Sequence, residues 1–253
     1  MLSEGAFMGK TTAQAVRVEV TREAVRLHLC RPERYNVLDT ATLAQLREAL
    51  TGMQRRERPL VLEGDGDIFS VGVDITELAQ YGASEAAAYS SLGQEVVGLL
   101  ESWPGVTVAR LSGYCLGAGL ELALGCDLLV ANGDIRLGLP GLAWAMVPCL
   151  GGLRRLSCRL SAEACSDLFL GGEVLDLDQA LDLHLVDRLV NDPGEFSVML
   201  EALGEYSQAA VDAIRSLRLS RRGPIDQRIE AEIFAQPFVS GECQRRLRRL
   251  LTG

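Results

Sequence analysis

The sequence predicts an α/β fold with a largely parallel sheet. Residues 16–20 and 25–29 alternate apolar and polar side chains with period two, which indicates a pair of strands. Apolar segments typical of buried strands follow at 59–63, 106–111 and 126–131, with helical stretches between them. Strands that alternate with helices favour a mostly parallel sheet covered by helices.

The stretches between and after these strands predict helices. Asp39 precedes apolar residues at helical spacing and can cap a helix there. A long amphipathic helix is predicted from about Glu85 to Trp103, and the strand patterns stop after about Pro193. Beyond that point the sequence predicts three short helices, at 215–222, 225–235 and 242–251.

The composition is that of an ordinary globular protein. The chain has 253 residues, 48% of them hydrophobic and 23% charged, enough to bury a substantial core without disulfides. Its formal net charge of −9 argues against a nucleic-acid surface. No apolar run approaches the ~20 residues of a membrane span, and no signal peptide is evident. We expect a loose tail at 1–14, a core domain at 15–192 and a helical region at 193–253.

Cysteine and histidine usage indicates neither disulfides nor a metal. The seven cysteines are odd in number, scattered and without metal-ligand spacing. Unpaired thiols fit a reducing cytoplasm best, which is where we expect the protein. His28 lies on the polar side of its strand, and we interpret it as a solvated residue and not as a ligand.

A glycine-rich segment at 112–127 carries the first chemical signal. Gly113, Gly117 and Gly119 allow a tight turn and close approach of a ligand. An apolar helix follows, and the unpaired N–H groups of its first turn suit an oxygen that becomes negative during a reaction. Glu121 lies in that helix, where burial would raise its pKa. Taken alone the segment is a weak signal, and an ordinary glycine-tolerant helix start explains it better.

Three further motifs accompany this segment. Residues 31–38 are similar to Arg-Pro-x-x-x-Asn-x-Leu, and residues 69–74 to Phe-x-x-Gly-x-Asp. Residues 180–187 are similar to Ala-x-x-x-Gly-Leu-Val-Asp, with His184 in place of the glycine. Taken in their order along the chain, these three motifs and the glycine-rich segment resemble the crotonase (enoyl-CoA hydratase/isomerase) superfamily over nearly the whole chain. The resemblance implies a crotonase-like spiral of ββα units and a helical C-terminal oligomerisation region, in a homotrimer or dimer of trimers.

The resemblance also implies an acyl-CoA substrate and assigns roles to particular residues. The backbone N–H groups of Val73 and Ala118 would polarise the thioester carbonyl as an oxyanion hole, and Glu121 would be the catalytic carboxylate. Expected substrate-binding residues are Arg31, Arg34, Val71, Asp74, Ile75, Gly117, Gly141, Trp144, Cys149 and Phe238. Coenzyme A is then part of the substrate, and no metal or redox cofactor is implied.

One departure from the family pattern affects the predicted mechanism. The second glutamate of a hydratase would stand in a Gly-x-Pro-Glu stretch, and here Gly141 occupies its place. Glu121 alone could manage both proton transfers through a water, the site could run a different thioester reaction, or the protein could bind acyl-CoA without turnover. Cys149 falls where a related branch has a nucleophilic aspartate, but nothing near it in sequence suggests a depressed pKa, so we interpret it as a packing residue.

We therefore predict an acyl-CoA enzyme, most simply an enoyl-CoA hydratase or isomerase using a single glutamate. The alternative within the class is another enolate reaction, namely decarboxylation, ring closure or hydrolysis, on a CoA or carrier-protein thioester. The alternative from another class is a non-catalytic acyl-CoA-binding protein.

Overall fold

The computed structural model describes residues 14–53, 58–221 and 227–252. Its strands are β1 Val16–Val20, β2 Val25–Leu29, β3 Leu60–Gly64, β4 Thr107–Leu116, β5 Leu128–Gly138, β6 Val174–Leu175 and β7 Arg188–Leu189. In the described part of the chain these seven strands form one sheet in the order β1 to β6, with β7 beside β5. Strands β2, β3, β4 and β5 run parallel, whereas β1 and β6 are antiparallel to their neighbours. The prediction of an α/β fold with a largely parallel sheet is confirmed.

Helices connect these strands and follow the last one. Those before β6 are α1 Thr40–Met53, α2 Ile75–Leu78, α3 Ala83–Glu101, α4 Ala118–Ala123, α5 Gly152–Leu156 and α6 Ala162–Ser166. The helices after β6 are α7 Leu177–Asp182, α8 Pro193–Gly204, α9 Gln208–Arg221, α10 Gln227–Val239 and α11 Glu242–Thr252. The predicted cap of α1 is present, because an oxygen of Asp39 accepts the N–H of Thr42 at 2.8 Å.

Apolar side chains cover both faces of the sheet. The larger cluster covers one face with α1 and α3, carries α10 packed on α3, and includes Leu62, Leu100 and Phe234. A smaller cluster packs Phe196 and Leu200 of α8 against the other face. Central strands buried on both faces are typical of parallel sheets and explain the continuous apolar run of β3.

The interpretation of His28 as a solvated strand residue is wrong. Its side chain is only 11% exposed. The strand register places it between Arg17 of β1 and Glu63 of β3. Its Nδ1 lies 3.1 Å from an oxygen of Asp65. Long charged side chains on the neighbouring strands cover the His28 ring. The alternation of polar and apolar residues within a single strand does not reveal such cross-strand neighbours.

The C-terminal quarter of the described chain is helical, as predicted, but with different bounds. Helix α8 was not among the predicted helices, and the helix predicted from residue 215 begins at Gln208. Residues 1–13 of the tail predicted at 1–14 lie outside the described residues, as do parts of two predicted helices at 222–226. Helix α10 packs along α3, where the Phe234 and Tyr89 rings lie 6.3 Å apart. Among the described helices none is long and apolar enough to cross a membrane.

Candidate active site

Two backbone turns meet where β4 ends and α4 begins. One of them is at Gly117, which lies between β4 and α4 and has φ 52° and ψ −128°. Gly72, in the turn before α2, has φ 93°, and a Cβ there would come within 2.7 Å of the Leu116 carbonyl oxygen and 3.0 Å of the Ala118 nitrogen. Only glycine combines this backbone conformation with such close approach. The turn that carries Val73 is therefore held directly against the start of α4.

This packing leaves two N–H groups available at one place. Ala118 is the first residue of α4, so its N–H has no partner within the helix. Within the described ranges, neither the Val73 nor the Ala118 N–H donates a hydrogen bond to another protein group. The neighbouring Gly72 is fixed, because its N–H donates to Ser70 Oγ at 3.0 Å and its carbonyl accepts the Leu38 N–H at 2.7 Å. Such a pair of fixed, open donors can stabilise a developing oxyanion.

The Glu121 carboxylate is buried in the short helix that begins at Ala118. Glu121 as a whole is only 2% exposed to solvent. It accepts the N–H groups of Cys149 at 3.1 Å, of Leu150 at 2.8 Å and of Gly152 at 2.8 Å. Burial, together with the charge of Glu230, raises the pKa of Glu121 to about 7, although the three N–H groups oppose the rise. A carboxyl group with this pKa can both take up and release a proton near neutral pH.

A cavity of about 820 Å³ opens onto these groups. Six of the residues predicted from the sequence line it, namely Val73, Gly117, Ala118, Glu121, Gly141 and Cys149. The remaining lining is mostly apolar and includes Leu142, Met146, Leu153, Leu170 and Phe234. The cavity thus places one buried carboxylate and two open N–H groups at the wall of an apolar chamber, as binding of a ligand with an apolar tail requires.

The chain is similar in sequence to known proteins over most of its length. The family model described as enoyl-CoA hydratase/isomerase matches residues 20–237. The chain is 30% identical over 220 residues to crotonyl-CoA hydratase of Syntrophomonas wolfei, covering 86% of this chain and 85% of that protein.

The chain belongs to the enoyl-CoA hydratase/isomerase family.

Solved structures of family members match the fold as well. Pseudomonas aeruginosa DspI is 25% identical with a TM-score of 0.77, covering 86% of this chain and 91% of that one. Enoyl-CoA hydratase of Mycobacterium smegmatis is 26% identical with a TM-score of 0.76, covering 90% of each chain. The predicted crotonase-like architecture is confirmed.

In this member of the family Gly141 contributes no side chain to the cavity. It lies in a 3-10 helix, Pro140–Trp144, that follows β5. A Cβ at Gly141 would make only ordinary contact with Met146, at 3.4 Å. The position therefore has room for a larger residue, so the absence of a carboxylate there is not imposed by backbone packing.

The predicted cationic residues are engaged outside the cavity lining. The Arg31 guanidinium is buried, donating to Asp39 at 2.8 Å and to Thr42 Oγ1. Arg34 donates to Asp74 at 2.5 Å, and Asp74 also caps α2 by accepting the Thr76 N–H at 2.9 Å. The structure gives these residues a role in tying the first motif to the Val73 turn and does not bring them to the cavity.

Four other predicted binding residues also lie outside the lining. Ile75 and Trp144 pack against the main core, and Val71 donates its N–H to the Tyr35 carbonyl at 3.2 Å. The Phe238 ring is buried 5.4 Å from that of Phe234. Phe238 therefore supports a wall of the cavity without reaching its surface.

Cys149 lines the cavity, and hydrogen bonds fix its backbone. Its N–H donates to Glu121, and its carbonyl accepts the Ser90 hydroxyl of α3 at 2.7 Å. Burial first, and then the charge of Glu121, raise the pKa of the Cys149 thiol well above its usual value. A thiol in this environment is not a ready nucleophile, in line with its interpretation as a packing residue.

The sequence interpretation missed Glu230, which also lines the cavity. Glu230 belongs to α10, and its Oε1 accepts the Gly151 N–H at 2.5 Å. The available signal was its spacing, because Glu230, Phe234 and Phe238 recur every four residues on one helix face. Across the described residues no group of three or more His, Cys, Asp or Glu side chains could hold a metal ion.

Proposed function

We propose that the protein hydrates the double bond of an enoyl-CoA thioester. The observation that carries this proposal is the buried Glu121 carboxyl group, with a pKa raised to about 7, in one cavity with the open N–H groups of Val73 and Ala118. Adding water to the double bond of an enoyl thioester requires at least a proton-transfer group and a preorganised oxyanion site beside it.

In the proposed mechanism the thioester carbonyl oxygen accepts the Val73 and Ala118 N–H groups. Polarising the carbonyl makes the β-carbon of the enoyl group electrophilic and stabilises the enolate that addition creates. The Glu121 carboxylate takes a proton from water, and the resulting hydroxide forms the carbon–oxygen bond at the β-carbon. Protonation of the α-carbon then gives the 3-hydroxyacyl thioester.

The lining of the cavity supports an apolar acyl group. Leu142, Leu153 and Leu170 lie around it with substantial exposure, and Leu170 is 73% exposed. Covering such side chains with a hydrocarbon chain contributes roughly 25 cal/mol for each Å² removed from water. An acyl chain longer than that of crotonate would therefore bind more tightly.

The second candidate is isomerisation of an enoyl thioester, and Gly141 favours it. Moving a double bond requires one group to remove a proton at one carbon and return it at another, with no water added. A single carboxylate at Glu121 suffices for that transfer, whereas the position of Gly141 offers no second one.

Product analysis distinguishes the two reactions. The purified protein is incubated with crotonyl-CoA and with dec-2-enoyl-CoA, and products are identified by mass and by chromatography against standards. Hydration adds the mass of one water, and isomerisation leaves the mass unchanged while shifting the retention time. Recovery of both compounds unchanged, with the protein folded, would contradict the proposal and leave a binding role.

Assembly and context are part of the same proposal. We infer a homotrimer or dimer of trimers through the C-terminal helices, a cytoplasmic location and a role in fatty acid metabolism. Large apolar side chains exposed on α8 and α9, Val198 and Ile214, support burial of these helices in an assembly. Seven cysteines free of disulfides support a reducing compartment. Light scattering of the purified protein tests the assembly.

A further inference from the structure

The cavity contains a second carboxyl group that comes from a distant part of the chain. Glu230 projects from α10 and lines the same cavity as Glu121, Val73 and Ala118. It is half-buried, and the Phe234 side chain one turn later lines the cavity too. The face of α10 that closes the cavity therefore presents a carboxyl group beside an apolar wall.

One loop holds both carboxyl groups. The N–H groups of Cys149, Leu150 and Gly152 donate to Glu121, and the N–H of Gly151, between them, donates to Glu230. Consecutive Cα atoms are only about 3.8 Å apart, so four successive N–H groups fix the two carboxyl groups at one short segment.

Two acidic groups held this close do not ionise independently. Burial is the main cause that raises the pKa of Glu230, against the lowering effects of the Gly151 N–H and the Arg155 and Arg154 charges. The charge of Glu230 in turn raises the pKa of Glu121. Like charges in a poorly solvated site favour a state in which the pair retains one proton.

We propose that Glu230 is the second proton-transfer group of this site and takes the part that Gly141 leaves vacant. The inference rests on the proposed reaction of an enoyl thioester. In the hydration direction an O–H bond of water breaks, its proton goes to the Glu121 carboxylate, and the hydroxide forms the bond to the β-carbon. The Glu230 carboxylic acid gives its proton to the α-carbon, forming the C–H bond and leaving a carboxylate. Proton exchange with solvent restores both groups.

The test compares Glu230→Gln with Glu232→Gln. Glutamine retains an oxygen that can accept the Gly151 N–H, so it removes the proton chemistry and keeps the loop contact. Glu232 lies on the same helix but is exposed and outside the cavity lining, which makes it a matched control. With crotonyl-CoA we expect E230Q to lower kcat by about a hundred-fold or more, with KM changed little, and E232Q to match the wild type.

A pH profile separates proton transfer from a structural role. A group that acts as an acid must be protonated, so the wild-type kcat should fall on the alkaline side, and this fall should be absent in E230Q. If E230Q does not fold, Glu230→Asp replaces it, with an expected loss of about ten-fold and a retained alkaline fall. Equal kcat values for the Glu230 variant and E232Q would overturn the proposal.

A second reaction tests Glu230 even if hydration itself fails. Exchange of the α-hydrogens of butyryl-CoA with D2O requires a base at the α-carbon and no double bond. Without hydration in the wild type, exchange that is lost in E230Q and kept in E232Q would support Glu230 and reject hydration as the function. Absence of exchange in the wild type, or exchange unchanged in E230Q, would overturn the role of Glu230.

Discussion

The Glu121 carboxylate lies directly against the Cα of Gly152. The Gly152 N–H donates to Glu121 Oε2 at 2.8 Å, and a Cβ on Gly152 would come within 2.4 Å of Glu121 Cγ. Cβ atoms do not approach other atoms this closely. The Glu121 carboxylate can therefore occupy its position only because residue 152 is a glycine, which has no Cβ.

Gly152→Ala should therefore displace the Glu121 side chain. We expect kcat for enoyl-CoA turnover to fall by about ten-fold or more, because small errors in positioning reacting groups are costly. The measurement is steady-state kinetics beside Gly98→Ala, a helical position in α3 where a Cβ meets nothing within 4 Å. Unchanged kinetics in both variants would show that the Glu121 position does not govern turnover.

The rate should depend on pH through the Glu121 carboxyl group. As a base it must be ionised, and burial together with the charge of Glu230 raises its pKa above the ordinary 4.5, so kcat should fall as pH drops below neutrality, before the pH range in which an ordinary glutamate is protonated. A rate profile with crotonyl-CoA measures the midpoint of this acid limb. A midpoint near 4.5, the value of an unperturbed glutamate, would contradict a buried catalytic carboxylate.

The oxyanion proposal can be tested at a single backbone N–H group. Ala118 is the first residue of α4, where proline is tolerated because its missing N–H has no helical partner. Ala118→Pro should keep the fold and lower kcat by about a hundred-fold or more, the usual cost of losing one oxyanion donor. Ala118→Gly, which retains the N–H, is the control. Similar kcat values for the two variants would argue against this donor.

The sequence revealed the local parts of the site and missed the part assembled by tertiary packing. Gly72, Gly117 and Glu121 can be predicted from the sequence because they lie in short contiguous motifs whose order along the chain carries the family resemblance. Glu230 could not be placed in the same way, because only the packing of α10 on α3 brings it to the cavity. The sequence also does not show that Arg31 pairs with Asp39, because that buried contact depends on a folded turn.

A buried ion pair holds α9 on the domain. The Arg215 guanidinium donates to Asp127 at 3.0 Å and to the Trp103 and Gly105 carbonyls. Arg215→Ala would remove this ion pair from the Asp127 carboxylate, and we expect a loss of about 3 kcal/mol in unfolding free energy. Urea denaturation beside Ser216→Ala, an exposed neighbour, measures the effect. Equal stabilities of the two variants would contradict this role.

We propose that Glu121 transfers the protons in the reaction of a thioester held by the Val73 and Ala118 N–H groups. The most direct test of this proposal is the loss of enoyl absorbance of crotonyl-CoA with the wild type and with Glu121→Gln. We expect turnover by the wild type and a loss of about a hundred-fold or more in kcat of the variant, with CoA-ester binding retained. Equal turnover by the two proteins, or tight binding without turnover by the wild type, would contradict it.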